Sequence, residues 1–138
     1  MTLRAFLRDE DLFSEMPDDM LDTIIDRGSE ISVPAGNTLV RQGQSGGGLH
    51  LLLHGTAVVD VDGRTVATLG PGDYFGEMSL LDKAPHSATV TSGPGGATTF
   101  VLSPMTFQGL LERSPHCERV MLKILTRRVR RLEEAARA

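Results

Sequence analysis

The residues whose types and spacing could do chemistry lie between Leu69 and Val90, in the run LGPGDYFGEMSLLDKAPHSATV. Gly76 removes a side chain where the backbone must come close to a partner. Glu77 begins a predicted helical turn, whose free N–H groups form a site for an anion. A carboxylate beside an anion site is explained if it accepts hydrogen bonds from sugar hydroxyls. An anion bound next to a sugar indicates a nucleotide.

Two strands and a turn must position these residues. A strand ends at Leu69, and residues 70–73 have the composition of a turn. A short apolar run follows at residues 78–81, and Pro-His at residues 85–86 ends it. Residues 87–90 then resume as a strand. The candidate residues therefore lie in the crossing between two strands.

The runs FGEMSLL, residues 75–81, and PHSATV, residues 85–90, resemble the phosphate-binding cassette of the cyclic nucleotide-binding domain family. This module occurs in the bacterial catabolite activator and in the regulatory subunit of protein kinase A. Four other segments fall in the family's order and spacing: VPAG at 33–36, RQG at 41–43, the strand 49–53 ending at Gly55, and ATLGPGD at 67–73. The resemblance covers roughly residues 18–132.

The resemblance implies a protein that binds a cyclic nucleotide, with cAMP expected first, cGMP as the alternative, and neither a cofactor nor a metal. Glu77 would accept a hydrogen bond from the ribose 2′-hydroxyl, and Ser87 would donate to a phosphate oxygen. Backbone N–H groups around Gly76, Met78 and Ala88 would cradle the cyclic phosphate, because converging N–H dipoles bind an anion without a full positive charge. The ligand-binding residues implied are Gly76, Glu77, Met78, Ser79, His86, Ser87 and Ala88.

In the family pattern an arginine stands at the position of His86 and donates two charged hydrogen bonds to the cyclic phosphate. Histidine is shorter, cannot form that fork and is only partly protonated near neutral pH. Losing one charge-assisted interaction of about 2 to 3 kcal/mol weakens binding by roughly 30- to 150-fold. Three outcomes stay open: the backbone cradle suffices, binding strengthens as His86 protonates, or the pocket has lost its ligand. The plainer alternative is a surface histidine without a role.

The function expected is that of a regulatory sensor in which the nucleotide shifts a population of conformations. The cassette closes on the ligand, Leu80 and Leu81 move with it, and the C-terminal helices reposition as a lid. The chain ends at Ala138 without a helix-turn-helix, kinase or channel segment, so a standalone domain is expected. Its output would be a separate effector protein or a homodimer. The alternative is a degenerate, non-binding domain that acts as a protein–protein interaction module.

The pattern predicts an α+β fold, an antiparallel β-roll or jelly-roll-like barrel with an N-terminal helix and two C-terminal helices. We expect one domain over residues 1–138, with N-terminal helices at 1–28, the roll at 29–102 and C-terminal helices at 103–138. The first clear helix begins at Pro17, a good first helical residue, and ends at Gly28; residues 2–13 form a short helix or docked arm without a clear start signal.

Within the roll, Leu49, Leu51 and Leu53 alternate with residues of the opposite face. Asp62-Gly63 predicts a tight primed hairpin turn. Gly-Pro-Gly-Gly at residues 93–96 predicts another turn before a final strand at 97–102.

Two C-terminal helices are marked by Ser103-Pro104 and Ser114-Pro115, each a capping hydroxyl before a first-turn proline. The second helix is long and has two apolar seams. One faces the roll: Val120, Met121 and Ile124. The other has coiled-coil spacing: Leu122, Leu125, Val129, Leu132 and Ala136. Homodimerisation through this second seam, or its use to cover the domain's own surface, both stay open.

Composition narrows the function class. The 138 residues are 40% hydrophobic with no run long enough to span a membrane, so a cytoplasmic protein is expected. The net charge is −4, but the charges are unevenly distributed. Residues 1–30 contain nine acids and three bases, whereas residues 112–138 contain eight bases and four acids. The two ends are expected to attract each other rather than to bind DNA, since no recognition helix accompanies the bases. The single cysteine, Cys117, is expected to be a spectator.

An enzyme is not expected. A cupin-like metal enzyme is the main catalytic rival, because His50 and His54 lie on one predicted strand, but no His-x-His with a following Glu accompanies them. Hydrolysis of the nucleotide would need a metal site that nothing near Glu77 supplies.

Overall fold

Five helices and six strands are formed by residues 2–137, the part of the chain that the computed structural model describes. The helices are α1 (Leu3–Arg8), α2 (Asp18–Arg27), α3 (Glu77–Asp82), α4 (Pro104–Arg113) and α5 (Pro115–Arg137). The strands are β1 (Ser29–Val33), β2 (Thr38–Val40), β3 (Leu49–Val61), β4 (Arg64–Leu69), β5 (Tyr74–Phe75) and β6 (Thr89–Leu102).

All strand pairings are antiparallel, as predicted for a β-roll. The sheet order is β1-β6-β3-β4, with β2 also paired to β6 and β5 to β3. The two long strands, β3 and β6, form the centre, where Leu51 pairs with Phe100. The predicted α+β class is confirmed, and the sheet formed by residues 2–137 is curled but does not close into a barrel.

The first five residues of strand β3, residues 49–53, are buried on both faces because they separate two hydrophobic clusters. Leu49, Leu51 and Leu53 point into a larger cluster shared with the helices, whereas Leu52 packs into a smaller one inside the roll. The predicted alternation is therefore confirmed. Each fully buried leucine contributes about 1.5 to 3 kcal/mol, so β3 is a stable base for the elements that carry the candidate site.

The turn predicted at residues 93–96 is wrong. Strand β6 runs without interruption from Thr89 to Leu102. Ala57 pairs with Ser92 and Gly55 with Ala97, so the glycine-rich segment forms a wide bulge opposite β3. Glycines allow this because a side chain at residue 93 would collide with Thr56, and Gly96 has φ +81°. The pairings on both sides hold the strand together.

The hairpin prediction at Asp62-Gly63 is confirmed. Both residues have positive φ, 51° and 79°, and Val61 pairs with Arg64 across the turn. This combination is that of a type I′ turn, which matches the twist of the flanking strands.

Capping residues explain most helix ends. Ser103 accepts the Thr106 N–H at α4, and Ser114 accepts the Cys117 N–H at α5, as predicted. The start of α1 is set by Thr2, whose hydroxyl accepts the Ala5 N–H, a signal that the sequence reasoning missed. At α2 a small correction applies: Pro17 is the N-cap, one residue before the first helical position.

The N-terminal arm packs on α5. Leu7, Leu12 and Phe13 are fully buried in the larger cluster beside Cys117 of α5, whose thiol donates to the Leu12 carbonyl at 3.4 Å. Burial raises the pKa of Cys117, which agrees with a spectator thiol. The expected attraction between the ends is present, since Arg127 pairs with Asp11 at 3.2 Å. Within residues 2–137 no helix has the length and apolar character to cross a membrane.

Candidate functional site

Gly76 makes the closest backbone approach at the site. Its φ is +88°, and a Cβ added there would lie 2.5 Å from the carbonyl oxygen of Gly48. Both the left-handed conformation and the lack of space require glycine. Gly76 is the N-cap of α3, so it fixes the direction in which Glu77 enters the site.

Glu77 is completely buried, although it is an acid in the first turn of a short helix. Its Oε1 forms an ion pair with Arg128 of α5. Neither carboxylate oxygen accepts a hydrogen bond of acceptable geometry from residues 2–137. An ionised carboxylate can accept about four hydrogen bonds, so this side chain can accept further hydrogen bonds besides its ion pair with Arg128.

Arg128 joins α5 to the cassette. Its guanidinium contacts Glu77 and also donates to the Tyr74 carbonyl, which lies on β5 immediately before the site. Burial is the main influence that lowers the pKa of Arg128, and Asp73 opposes it. The side chain remains protonated, since arginine does not lose its proton in proteins. The C-terminal helix is thus electrostatically attached to the carboxylate predicted to bind ribose.

Backbone donors are available along the cassette. In the described part of the chain the N–H groups of Glu77 and Met78 have no acceptor outside α3, and those of Ser87 and Ala88 have none at all. The first N–H groups of a helix also lack partners within it. Met78 is 48% exposed, so this face is open to solvent. These donors are of the type that binds a phosphate.

His86 is held at both ring nitrogens. Nδ1 lies 3.0 Å from Ser79 Oγ and Nε2 lies 2.7 Å from the Gly46 carbonyl oxygen. Its backbone N–H donates to the Gln44 carbonyl, and its carbonyl accepts from Gly43, both at 2.9 Å. His86 therefore fastens the loop at residues 43–48 to the cassette.

His50 on β3 lies behind the site. Its ring stacks on Phe75 with centroids 4.6 Å apart, and Nδ1 is 3.2 Å from Thr99 Oγ1. Desolvation and, to a smaller extent, the charge of His86 lower the pKa of His50 to about 4. His50 is therefore a neutral wall of the site at physiological pH.

The predicted site residues are brought together in part. The structure joins Ser79 to His86 and packs Gly76 against the start of β3. Ser87 is exposed, and its hydroxyl bonds to no other described residue. Sequence reasoning missed Arg128 and the Gly46 carbonyl. Nothing in the sequence distinguishes Arg128 from the other bases of residues 112–138. A backbone carbonyl occurs in every residue, so the sequence cannot mark the one at Gly46 either.

The rival metal site is not formed by the described residues. His50 is buried and stacked, whereas His54 is exposed. Within residues 2–137 no group of three His, Cys, Asp or Glu side chains is placed to hold a metal ion.

Comparison with known proteins agrees with this geometry. Residues 30–114 match the family model described as the cyclic nucleotide-binding domain. The chain belongs to the cyclic nucleotide-binding domain family. The match includes the whole cassette and most of the roll.

Relatives of this cyclic nucleotide-binding domain include the cAMP-dependent protein kinase regulatory subunit of Aspergillus fumigatus. It is 30% identical over 132 residues, which are 86% of this chain and 32% of that protein. The present chain thus spans about a third of that relative's length.

Two solved structures are similar to this domain. The regulatory domain of Toxoplasma gondii PKA, crystallised with cAMP, is 35% identical with a TM-score of 0.70, over 78% of this chain and 42% of that one. The catabolite activator protein of Thermus thermophilus is 28% identical with a TM-score of 0.77, over 92% of this chain and 62% of that one. The cyclic nucleotide-binding fold is therefore shared along nearly the whole chain.

Proposed function

We propose that this cyclic nucleotide-binding domain is a regulatory sensor that binds cAMP in the cassette between β5 and β6. The buried carboxylate of Glu77 carries the proposal, because the resemblance implies that Glu77 binds the ribose and its burial leaves a charged acceptor inside the cassette. The PKA regulatory domain of T. gondii, 35% identical, was crystallised with cAMP. Binding of cGMP is the closest alternative in ligand chemistry.

Glu77 would accept the ribose 2′-hydroxyl. Both of its oxygens lack a hydrogen bond of acceptable geometry within the described residues. A hydrogen bond from the ribose hydroxyl would offset part of the desolvation cost of the buried charge. Because the side chain is fully covered, the ligand must share Glu77 with Arg128 or displace it. Either change alters the contact that attaches α5.

The phosphate would bind to the backbone donors of the cassette. The N–H groups of Met78 and Ala88 and the hydroxyl of Ser87 make no competing bond outside their own element. Their dipoles attract an anion without a full positive charge. His86 takes the place of the family's arginine, and its ring is anchored beside this donor set.

Signalling would follow from the movement of α5. The helix is attached to the site through Arg128, and it packs with the N-terminal arm in the larger hydrophobic cluster. A ligand that binds better when Arg128 has left Glu77 would shift α5 and the arm together. Leu80 and Leu81 of α3 would move with the cassette, as expected from the sequence.

Isothermal titration of cAMP into the purified chain tests the binding proposal. We expect one site, with 2′-deoxy-cAMP bound about 10- to 100-fold more weakly, because it lacks the hydroxyl that donates to the carboxylate. In Glu77→Gln the difference between the two ligands should shrink to within a few-fold. Glu118→Gln, an exposed acid on α5, is the matched control and should behave as the wild type. Equal binding of both ligands by the wild type would remove Glu77 from the site.

A degenerate domain is the second candidate. It is favoured by one observation: the His86 ring already uses both nitrogens within the chain. Under this candidate cAMP and cGMP leave the melting temperature unchanged at millimolar concentration, whereas His86→Arg gains a ligand-dependent increase. A melting temperature of the wild type that rises with cAMP concentration excludes it.

Three further expectations from the sequence remain predictions. They are a non-catalytic role, a cytoplasmic location, and signalling through an effector protein or a homodimer. The proposal concerns the domain formed by residues 2–137.

A further inference from the structure

The positions of the hydrogens on the His86 ring and on the Ser79 hydroxyl follow from the two contacts of the ring. The Gly46 carbonyl, 2.7 Å from Nε2, can only accept, so Nε2 carries a hydrogen. In the neutral ring Nδ1 is then an acceptor. Ser79 Oγ, 3.0 Å away, must donate its single hydroxyl hydrogen to it.

Protonation of His86 reverses the second contact. Nδ1 then carries a hydrogen and donates to a lone pair of Ser79 Oγ. The hydroxyl keeps its own hydrogen, which is released to rotate toward another acceptor. The contact with Gly46 is the same in both states, so the loop stays attached while the Ser79 hydroxyl changes its role.

Ser79 is well placed for that acceptor to be a ligand. It lies two residues after Glu77, whose completely buried oxygens pair with Arg128 but accept no hydrogen bond of acceptable geometry from the described residues. It is half-buried, one residue from the exposed Met78, and its hydroxyl contacts the His86 ring. A ligand whose ribose reaches Glu77 has its phosphate near this turn.

We propose that Ser79 is a proton-gated donor to the cyclic phosphate, which donates its hydroxyl hydrogen to the ligand only when His86 is protonated. This inference rests on the proposed function. It makes the replacement of arginine by histidine a source of pH dependence rather than a loss of the pocket. The charge on the ring and the hydrogen from Ser79 then act on the same phosphate.

Other titratable groups lie on the elements that pack around His86. These are His50 on β3, Glu77 and Asp82 on α3, Lys83 after α3, and Arg41 before the loop. Burial lowers the pKa of His50 to about 4, so it stays neutral between pH 5.5 and 7.5. Glu77 is paired with Arg128, and Asp82 accepts the Ala84 N–H. All of them remain in place when Ser79 is replaced, so a pH effect that came from them would survive that change.

The test is the affinity for cAMP at pH 5.5 and 7.5 in four forms of the whole chain: wild type, Ser79→Ala, Ser79→Thr and His86→Arg. We expect the wild type to bind roughly tenfold more tightly at pH 5.5, the effect of one added hydrogen bond to a charged group. Whatever its affinity at pH 7.5, Ser79→Ala should lack the gain at pH 5.5, because it has no hydroxyl hydrogen to donate. Ser79→Thr restores the hydroxyl and should restore the gain.

The outcomes separate this inference from the binding proposal. A pH-dependent gain that persists in Ser79→Ala overturns the role of Ser79 and leaves cAMP binding standing, as does wild-type binding without pH dependence. If the wild type shows no detectable cAMP binding at either pH while His86→Arg binds tightly, the pocket is intact but the gated donor does not act. That result also overturns the inference. If none of the four forms binds cAMP, although each is confirmed as folded by its melting transition, both the proposed function and this inference are wrong.

Discussion

Glu77 and Gly76 show how far single residues could be predicted. Both were assigned to the site from sequence, because a glycine before an acid at the start of a helical turn has few structural explanations. The structure adds what residue types cannot give: the Gly48 carbonyl that excludes a side chain at residue 76, and the burial of Glu77 against Arg128. These contacts join residues far apart in the chain, so local patterns do not contain them.

Replacing Gly76 by alanine tests whether space or backbone conformation sets this requirement. We expect Gly76→Ala to lower the free energy of unfolding clearly more than Gly63→Ala, which also has positive φ but has no atom within 4 Å of the added Cβ. Gly63→Ala should cost about 1 to 2 kcal/mol from the left-handed conformation alone. Urea denaturation of both variants gives the comparison, and equal losses would show that the Gly48 carbonyl can give way.

His50 makes stability depend on pH. Its pKa of about 4 in the folded protein lies below the ordinary value of about 6.5, so the folded state resists protonation. The resulting stability is fully present above about pH 6.5 and is lost as the pH falls toward 4. We expect about 2 kcal/mol less stability at pH 5.0 than at pH 7.5 from this residue. His50→Gln should show a correspondingly smaller difference in urea denaturation, and an unchanged difference would assign the acid sensitivity elsewhere.

At the level of elements, the periodicity and capping signals gave most strands and helices, with small errors at the ends of α2 and β6 and one larger error inside β6. The segment at residues 93–96 has turn composition, yet β6 continues through it as a bulge, because β3 pairs with β6 on both sides of it, β2 pairs before it and β1 pairs after it. Tertiary pairing overrides local preference here. Arg128 shows the same limit, since the length of α5 was predictable but the residue that contacts the cassette was not.

Removal of the Arg128 side chain should free α5 from the cassette. Arg128→Leu leaves Glu77 buried without its ion pair, so we expect a loss of about 3 to 5 kcal/mol in the free energy of unfolding. Amide hydrogen exchange in the second half of α5 should become faster. Arg130→Leu, an exposed position on the same helix, is the control and should change stability by no more than about 0.5 kcal/mol. Wild-type exchange rates in Arg128→Leu would mean that packing alone holds the helix.

For the whole molecule, the acidic N-terminal arm and the basic α5 meet as composition predicted. The ion pair there, Arg127 with Asp11, is exposed and contributes about 0 to 1 kcal/mol. Burial of the arm's apolar side chains does more to hold the two segments together. The outer seam of α5 stays uncovered in the single chain, with Leu122 60%, Val129 54% and Leu132 68% exposed.

Self-association through that seam, one of the two uses that the sequence leaves open, is a prediction that follows from its exposed apolar surface. We expect the wild type to sediment as a dimer at tens of micromolar, and Leu132→Asp as a monomer, because an aspartate in the seam would be desolvated. Met105→Asp is the matched control, since Met105 is 84% exposed on α4 and lies off the seam. A monomeric wild type at about 100 µM would leave the seam without this role.

The most direct test of cyclic nucleotide binding in the cassette is a cAMP titration followed through the backbone amide resonances of the whole chain. We predict saturable shifts concentrated at Gly76, Met78 and Ala88, whose N–H groups would donate to the phosphate, together with smaller shifts along α5 near Arg128. Unchanged cassette amides at millimolar cAMP, or shifts confined to other parts of the sheet, would contradict the account.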